Sequence, residues 1–340
     1  MNYYAGLDVS LKEVAVCILD GAGQVICEQK VASEPDALTS FFRGLDLDVS
    51  RIGLEAGPLS QWLFAGLTSA GFDVVLLETR HVKAALSAMT VKTDRRDALG
   101  IAHLLRMGWY RSVHCKALAS QEIRTLLTAR KLLQGKLIDI ELGIRGILRG
   151  FGLKIGGVTR KMFDHRVREL VAEQETLTTI ANAMLAARAL LINEVAKLQK
   201  ALLRIAREDK VTGRLMSVPG VGALTALTFK TAIDDPNRIR RSRDVGPLFG
   251  LTPRRYQSGE TDVSGGISKA GDMMVRSALF EAATVLFFRL KQPSNLKEWA
   301  QNVAKRRGTK RAIVALARKL AVLLHRIWLD GTAYRNPIAA

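Results

Sequence analysis

Tyr3-Tyr4-Ala5-Gly6-Leu7-Asp8-Val9 is a short apolar run that closes on a carboxylate, and two more β-type runs follow it, Val14-Ala15-Val16-Cys17-Ile18-Leu19 and Gln24-Val25-Ile26-Cys27-Glu28-Gln29-Lys30. Turn residues and glycines separate the three, so the simplest reading is an antiparallel meander. Beyond it the pattern alternates: a helix over 36–42, a strand over 51–55, a helix over 60–69, a strand over 72–77 and a helix from 81 onward. The order βββαβαβα predicts an α/β domain over residues 1–115. In such an order the first strand lies centrally, next to the fourth.

That placement gives four acids a common address. Asp8 stands at the end of the first strand, Glu55 at the end of the fourth, and Asp94 and Asp97 open a helix at i and i+3, where side chains share a face. Taken singly, each has an ordinary place: a turn carboxylate, a strand-end charge, two acids favoured by a helix dipole. Taken together, and flanked by Lys92, Arg95 and Arg96, they predict one acidic cluster at a sheet edge. Carboxylates so gathered call for hard divalent cations, Mg²⁺ with Mn²⁺ as a substitute. Two such ions roughly 3.5–4 Å apart bind both the attacking and the leaving oxygen of a phosphodiester.

Composition supports an anionic partner. The 340 residues, 48% hydrophobic and 24% charged, are enough for at least two cores and exclude wholesale disorder. The net charge is +19, divided unevenly: residues 1–100 carry −4 and the other 240 carry +23. A basic surface tracking a phosphate backbone releases condensed counterions, so its affinity falls steeply with salt. The three cysteines, Cys17, Cys27 and Cys115, have neither CxxC nor Cys/His spacing, so neither a disulfide framework nor a structural zinc site is supported, and a reducing cytoplasm fits. The start has no basic leader segment, and no run of about 20 uninterrupted apolar residues is present, so neither export nor a membrane partner is expected.

From about residue 119 the texture becomes helical. Ile123, Leu126, Leu127, Leu132 and Leu133 space one apolar face, continued by Ile138, Ile140, Ile144 and Ile147. A second helix over 176–207 repeats Leu177, Ile180, Met184, Leu191, Val195, Leu198 and Leu202 at three- to four-residue intervals. Residues 116–210 therefore read as a helical connector, its helices long enough for an antiparallel or intermolecular coiled coil, with a turn over 150–160. Residues 211–340 form a third, mostly α unit. It opens with Pro219-Gly220-Val221-Gly222 before a helix, a helix-hairpin-helix-like turn in which Gly220 and Gly222 let backbone N–H groups approach phosphate. A Gly/Ser-rich stretch over 250–266 follows, then helices over 272–290 and 309–329. Within that stretch Ser258 lies in a loop among Arg254, Arg255 and Lys269, with Arg276 beyond, cations suited to a phosphodiester. On spacing alone Ser258 is an ordinary turn residue.

The motifs Gly6-Leu7-Asp8-Val9-Ser10, Gly53-Leu54-Glu55-Ala56, Lys92-Thr93-Asp94-Arg95-Arg96-Asp97-Ala98, Pro219-Gly220-Val221-Gly222 and Gly250-Leu251-Thr252-Pro253 through Gln257-Ser258-Gly259 occur in one order. With Ile267-Ser268-Lys269-Ala270-Gly271-Asp272 after them, the chain resembles the insertion sequence 110 family of DEDD transposases over essentially its whole length. The resemblance implies an RNase H-like (RuvC-like) domain with the tetrad Asp8, Glu55, Asp94 and Asp97, a coiled-coil connector for oligomerisation, and a C-terminal transposase domain whose catalytic serine matches Ser258. Ser264 and Ser268 are the neighbouring alternatives. It also implies donor and target DNA, a noncoding bridge RNA and further copies of the chain, as dimer or tetramer, for partners. Rival readings are a hydrolytic RuvC-like nuclease or junction resolvase, which needs the acids but not Ser258, and a non-enzymatic nucleic-acid-binding protein. An actin-like phosphotransferase also begins with a strand-end GxD, but Val9-Ser10-Leu11-Lys12 lacks the phosphate-cradling glycines.

Overall fold

The computed structural model describes residues 2–87, 89 and 91–335, which fall into two compact units, up to Lys116 and from Ala117 onward. The helix expected from residue 81 onward crosses residues 88 and 90, and the third unit expected to reach 340 includes 336–340; those positions lie outside the described residues.

The first unit contains β1 (Tyr3–Val9), β2 (Glu13–Leu19), β3 (Val25–Ala32), α1 (Pro35–Gly44), β4 (Val49–Glu55), α2 (Ser60–Ser69), β5 (Val74–Leu77), α3 (Thr79–Leu86), α4 (Asp94–Arg106) and β6 (Ser112–Val113). The sheet order is β3-β2-β1-β4-β5-β6, with β1 antiparallel to β2 and parallel to β4. This is the RNase H-like arrangement expected, with β1 central and beside β4, extended by a two-residue antiparallel edge strand that the sequence did not announce.

Alternation along the strands sorts the side chains. Ala5 and Leu7 of β1, Ile18 of β2 and Ile52 and Leu54 of β4 pack with Leu38, Phe42, Leu63 and Leu67 of α1 and α2. The opposite face presents Gly6, Asp8, Gly53 and Glu55, and against it lies α4. The two glycines make that approach possible. A Cβ on Gly6 would stand 2.2 Å from the Ala98 carbonyl oxygen and 2.4 Å from the Ala102 nitrogen; one on Gly53 would stand 2.6 Å from Leu105 Cδ1. At Gly6 the obstruction is backbone, which cannot swing aside. Gly6→Ala is therefore expected to lower unfolding stability by about 3 kcal/mol, read by chemical denaturation. Wild-type stability in that variant would show that α4 does not depend on the contact.

The second unit begins with α5 (Leu118–Gly150), α6 (Phe163–Val171) and α7 (Glu175–Glu208). α5 and α7 are antiparallel: Ile144 and Leu148 meet Leu177, Ala181 and Leu185 at one end, and Leu127 meets Leu202 and Ala206 at the other. α6, which fills part of the stretch between them, buries Phe163, Val167 and Val171 at i, i+4 and i+8. Arg188 of α7, itself buried, donates to Glu141 of α5, to Asp164 of α6 and to the Arg160 carbonyl, so its charge is compensated on three sides. α7 is the one described helix long and apolar enough, by length and composition, to cross a membrane. Leu177, Ala181, Leu185, Leu202 and Ala206 of this helix are packed in the clusters it shares with α5 and α6, while Leu190 is exposed.

The chain continues through α8 (Lys210–Leu215), α9 (Ala223–Ile233), α10 (Val245–Leu248), β7 (Pro253–Ser258), β8 (Thr261–Ile267), α11 (Met273–Phe288), α12 (Asn295–Arg307) and α13 (Thr309–Asp330). Phe229, Val245, Leu279, Ala300, Leu316 and Leu320 unite these helices in one core. The helical connector does not stand apart as a separate domain. Leu127 of α5 and Leu202 of α7 share a cluster with Ala223 and Leu227 of α9, and Arg124 of α5 pairs with Asp272, whose carboxylate also caps α11 at Met274 N and Val275 N.

His325 of α13 is fully buried, with Nε2 3.0 Å from the Pro236 carbonyl and Nδ1 3.0 Å from Ser242 Oγ. The carbonyl can only accept, so Nε2 carries the proton and Nδ1 accepts from the serine hydroxyl. Burial holds the imidazole below its ordinary value, against a smaller opposite effect of the Pro236 hydrogen bond. The unfolded chain then binds this proton first, so the contribution is complete above about pH 6.5 and is lost as pH falls through the lower folded value. Denaturation of wild type and His325→Gln between pH 8 and 5 tests this. A wild-type slope steeper than the variant's is expected, and parallel slopes would remove His325 as the cause.

Candidate active site

Leu7 of β1 pairs with Leu54 of β4, so Asp8 and Glu55 stand one residue further along two neighbouring parallel strands. Both line an open cleft of about 790 Å³ whose other walls are the Ser10–Glu13 turn and the segment Ala56–Leu59. α4 brings the other two acids to the same face. Thr93 caps it, accepting from Arg96 N at 3.3 Å, and this sets Asp94 and Asp97 in its first turn.

The other three acids lie near enough to Asp8 to act on its charge. Asp8 is half-buried, and its carboxyl is pushed up to about 6, first by burial and then by the charges of Asp97, Asp94 and Glu55, with Lys92 acting weakly in the other direction. Lys92 reaches Asp97 at 3.9 Å but is 87% exposed, so it offsets little of the repulsion. Among the described residues no group of three or more His, Cys, Asp or Glu side chains is placed closely enough to hold a metal ion as the chain stands. The donor chemistry nevertheless fits a hard divalent cation: the site offers carboxylate oxygens, and the repulsion at Asp8 is what a cation would relieve.

The cations expected around these acids have varied roles. Arg95 pairs with Glu28 of β3, while the Arg96 side chain reaches the Val91 carbonyl at 3.5 Å. In the second unit, Arg276 donates to the carbonyls of Phe249, Ala270 and Gly271, and Arg254 to that of Ser268. Arg255 makes a two-pronged pair with Asp262 at 2.8 and 2.6 Å, while Lys269 is exposed. Gly222 is the N-cap of α9 and is exposed. Gly220, at φ +85°, has a packing reason of its own: a Cβ there would stand 2.5 Å from the Ala282 carbonyl oxygen of α11.

Ser258 is not in a loop. It is the last residue of β7, paired with Thr261 of β8 across a two-residue Gly259-Glu260 turn, with Gly259 at φ +54°. Every residue of β7 is exposed, and among the described residues the Ser258 hydroxyl has no hydrogen-bond partner. Ser264 pairs with Arg255 in the same hairpin, and Ser268 lies beyond it, its hydroxyl accepting from Ala270 N at 3.4 Å. The positioning role of Gly6 and Gly53 was missed from sequence, although a glycine inside a strand is the available signal of close backbone approach.

Two family models match the chain in sequence order. That of the DEDD transposases of IS110 type, described as a transposase, covers residues 5–152, and that of the transposase IS116/IS110/IS902 family covers residues 212–300. The chain belongs to the IS110 family of transposases. This transposase is 28% identical over 336 residues to the transposase for insertion sequence element IS1111A of Coxiella burnetii, covering 97% of this chain and 90% of that one. It is 25% identical over 342 residues to a probable family 20 transposase of Pseudomonas aeruginosa, covering 97% and 98%. Among solved structures, Thermus thermophilus RuvC in complex with a Holliday junction substrate aligns with 33% of the transposase and 100% of its own chain, at 12% identity and a TM-score of 0.27. Transposases cleave and join DNA, so the acidic edge belongs to an enzyme whose partner is DNA.

Proposed function

We propose that this transposase excises and inserts its element by strand transfer, with Ser258 as nucleophile and Asp8, Glu55, Asp94 and Asp97 as holders of Mg²⁺, or of Mn²⁺ in its place. The observation that carries the reading is the convergence of three acids on the half-buried Asp8, beside an open cleft and with only an exposed lysine in opposition. When bound, the metal supplies Lewis-acid polarisation of the phosphate. Ser258 Oγ attacks the phosphorus, its proton passes to solvent, and one P–O bond replaces another as the departing DNA oxygen takes up a proton. Because one phosphodiester replaces another, the serine–DNA linkage retains the energy for rejoining, and a new DNA hydroxyl reverses the step, releasing the serine hydroxyl, without a nucleotide cofactor.

Donor and target DNA are the substrates in this reading, and a noncoding bridge RNA encoded by the element's flanks chooses them. Recognition through a guide asks the protein for backbone and shape contacts more than for base readout, which suits cations dispersed over the second unit. The acids and Ser258 belong to different units of the chain, so a composite site can draw them from different protomers of a dimer or tetramer. Leu132, Ile138 and Leu142 on α5 and Leu190 on α7 are exposed apolar positions on the helical pair, suited to a coiled coil between copies. The enzyme acts in the cytoplasm, at the nucleoid.

The test is formation of the excised circular junction in cells carrying the gene with its native flanks. Wild type is expected to form it and Ser258→Ala is not, at equal protein level. Hydrolytic cutting that persists in Ser258→Ala would instead favour a RuvC-like nuclease or junction resolvase.

A further inference from the structure

A second cleft, of about 670 Å³, lies within the second unit between the base of the β7–β8 hairpin, α12 and α13. Its volume falls in the range of sites that enclose organic ligands, roughly 300–1,000 Å³. Leu251, Ile267, Val314 and Val322 make its floor, and Pro253 and Ile267 tie it to the two hairpin strands. The edges are cationic: Lys310, Arg311 and Arg318 of α13 line it, and Lys319 is held over the Trp299 ring, 4.3 Å from its centroid. Among the described residues none of these four is paired with a carboxylate, and no carboxylate, hydroxyl or amide side chain lines the cleft.

An apolar floor bordered by unpaired cations suits a ligand that is flat and apolar in one part and anionic in the other. We propose that this cleft binds single-stranded DNA, taking an unpaired base against Leu251, Val314 and Val322 while Lys310 and Arg311 hold the phosphates on either side. Duplex DNA keeps its bases stacked and cannot present one to the floor. The cleft lining has no carboxylate, hydroxyl or amide side chain, so the proton of a ribose 2′-OH finds no side-chain acceptor there, which favours DNA over RNA. The inference rests on the strand-transfer reading, since cutting and exchange at the hairpin release single strands beside the cleft.

The experiment measures binding and no cleavage, so the two readings fail separately. Full-length protein in chelator-containing buffer is titrated by fluorescence anisotropy against a labelled twelve-nucleotide thymidine strand, the same strand with abasic sites, the RNA equivalent and a duplex. Wild type is expected to bind the intact strand about tenfold or more tighter than the abasic one, the scale of one well-held base. Val314→Trp, which fills the floor, is expected to remove that difference and leave duplex binding unchanged. Lys310→Glu combined with Arg311→Glu should shallow the salt dependence by about 1.4 in log–log slope, two phosphates' worth for a single strand. Equal binding of intact and abasic strands by wild type overturns the proposal without any variant. So does RNA bound as tightly as DNA, or a change in solution mass on Val314→Trp, which would assign the cleft to a second copy of the chain. Loss of junction formation at Ser258 is the separate measure of the underlying reading.

Discussion

Asp8→Asn is expected to yield no excised circular junction while folding at least as stably as wild type. The substitution keeps the shape of the side chain and removes its charge. Removing that charge relieves first the cost of burying it and then the repulsion of Asp97, Asp94 and Glu55, together on the order of 1 kcal/mol at neutral pH for a half-buried group in chelator-containing buffer. Chemistry changes in the opposite direction. A metal-binding carboxylate at the meeting point of the sheet edge and α4 supports charge stabilisation of several kcal/mol, so its loss lowers strand transfer by at least about a thousandfold. A structural acid would give the reverse pattern, with activity kept and stability lost. Junction formation within tenfold of wild type would remove Asp8 from the chemistry, and the reading of the acidic edge with it.

Ser258→Ala is expected to abolish both the junction and the covalent protein–DNA adduct, with no change in thermal unfolding. The second part follows from exposure: a side chain on a hairpin strand with no buried position has no packing to lose. The first separates strand transfer from hydrolysis, because a water nucleophile ignores the serine. Ser264→Ala and Ser268→Ala are the controls. Ser264 is placed on β8 opposite Arg255 and Ser268 beyond the hairpin, and both variants should form adduct normally. If Ser258→Ala still forms adduct and one of these does not, the nucleophile moves to that residue. Mixing Asp8→Asn protomers with Ser258→Ala protomers adds a further result: recovered junction formation in the mixture shows that acids and serine come from different copies.

Much of the first unit was legible because its signals are local and redundant. The alternation in β1, β2 and β4 reflects a sheet with two distinct buried faces, and the same period put Asp8 and Glu55 on the side that α4 covers. The four acids are singled out by strand ends and an i, i+3 pair, features that survive without knowledge of packing. The missing pieces share a different character. Ser112 and Val113 form an edge strand of two residues, too short for any period. The β7–β8 hairpin is exposed on both faces, so Arg254, Arg255, Tyr256 and Gln257 on one strand and Thr261, Asp262 and Val263 on the other show no apolar alternation; the Gly259-Glu260 turn was its only mark. α6 carried its pattern at Phe163, Val167 and Val171 but followed a Gly- and Lys-rich stretch that reads as a turn. The union of connector and C-terminal helices depends on the Arg124–Asp272 pair and the Leu127–Leu227 cluster, contacts between residues about a hundred or more positions apart. No window of sequence reports such contacts.

The bare hairpin has a meaning for the host cell. An enzyme able to open chromosomal DNA is dangerous whenever it acts alone, and most nucleophiles are readied by neighbours that the fold supplies in advance. Here the serine sits on a ribbon with neither face buried and no partner for its hydroxyl among the described residues. On the proposed reading, with Ser258 as nucleophile, the folded chain carries that group disarmed, like a tool with the safety on. Synthesis of the protein is then a weak hazard by itself, and the decisive event becomes assembly on the right nucleic acid, which supplies the surroundings that the fold withholds.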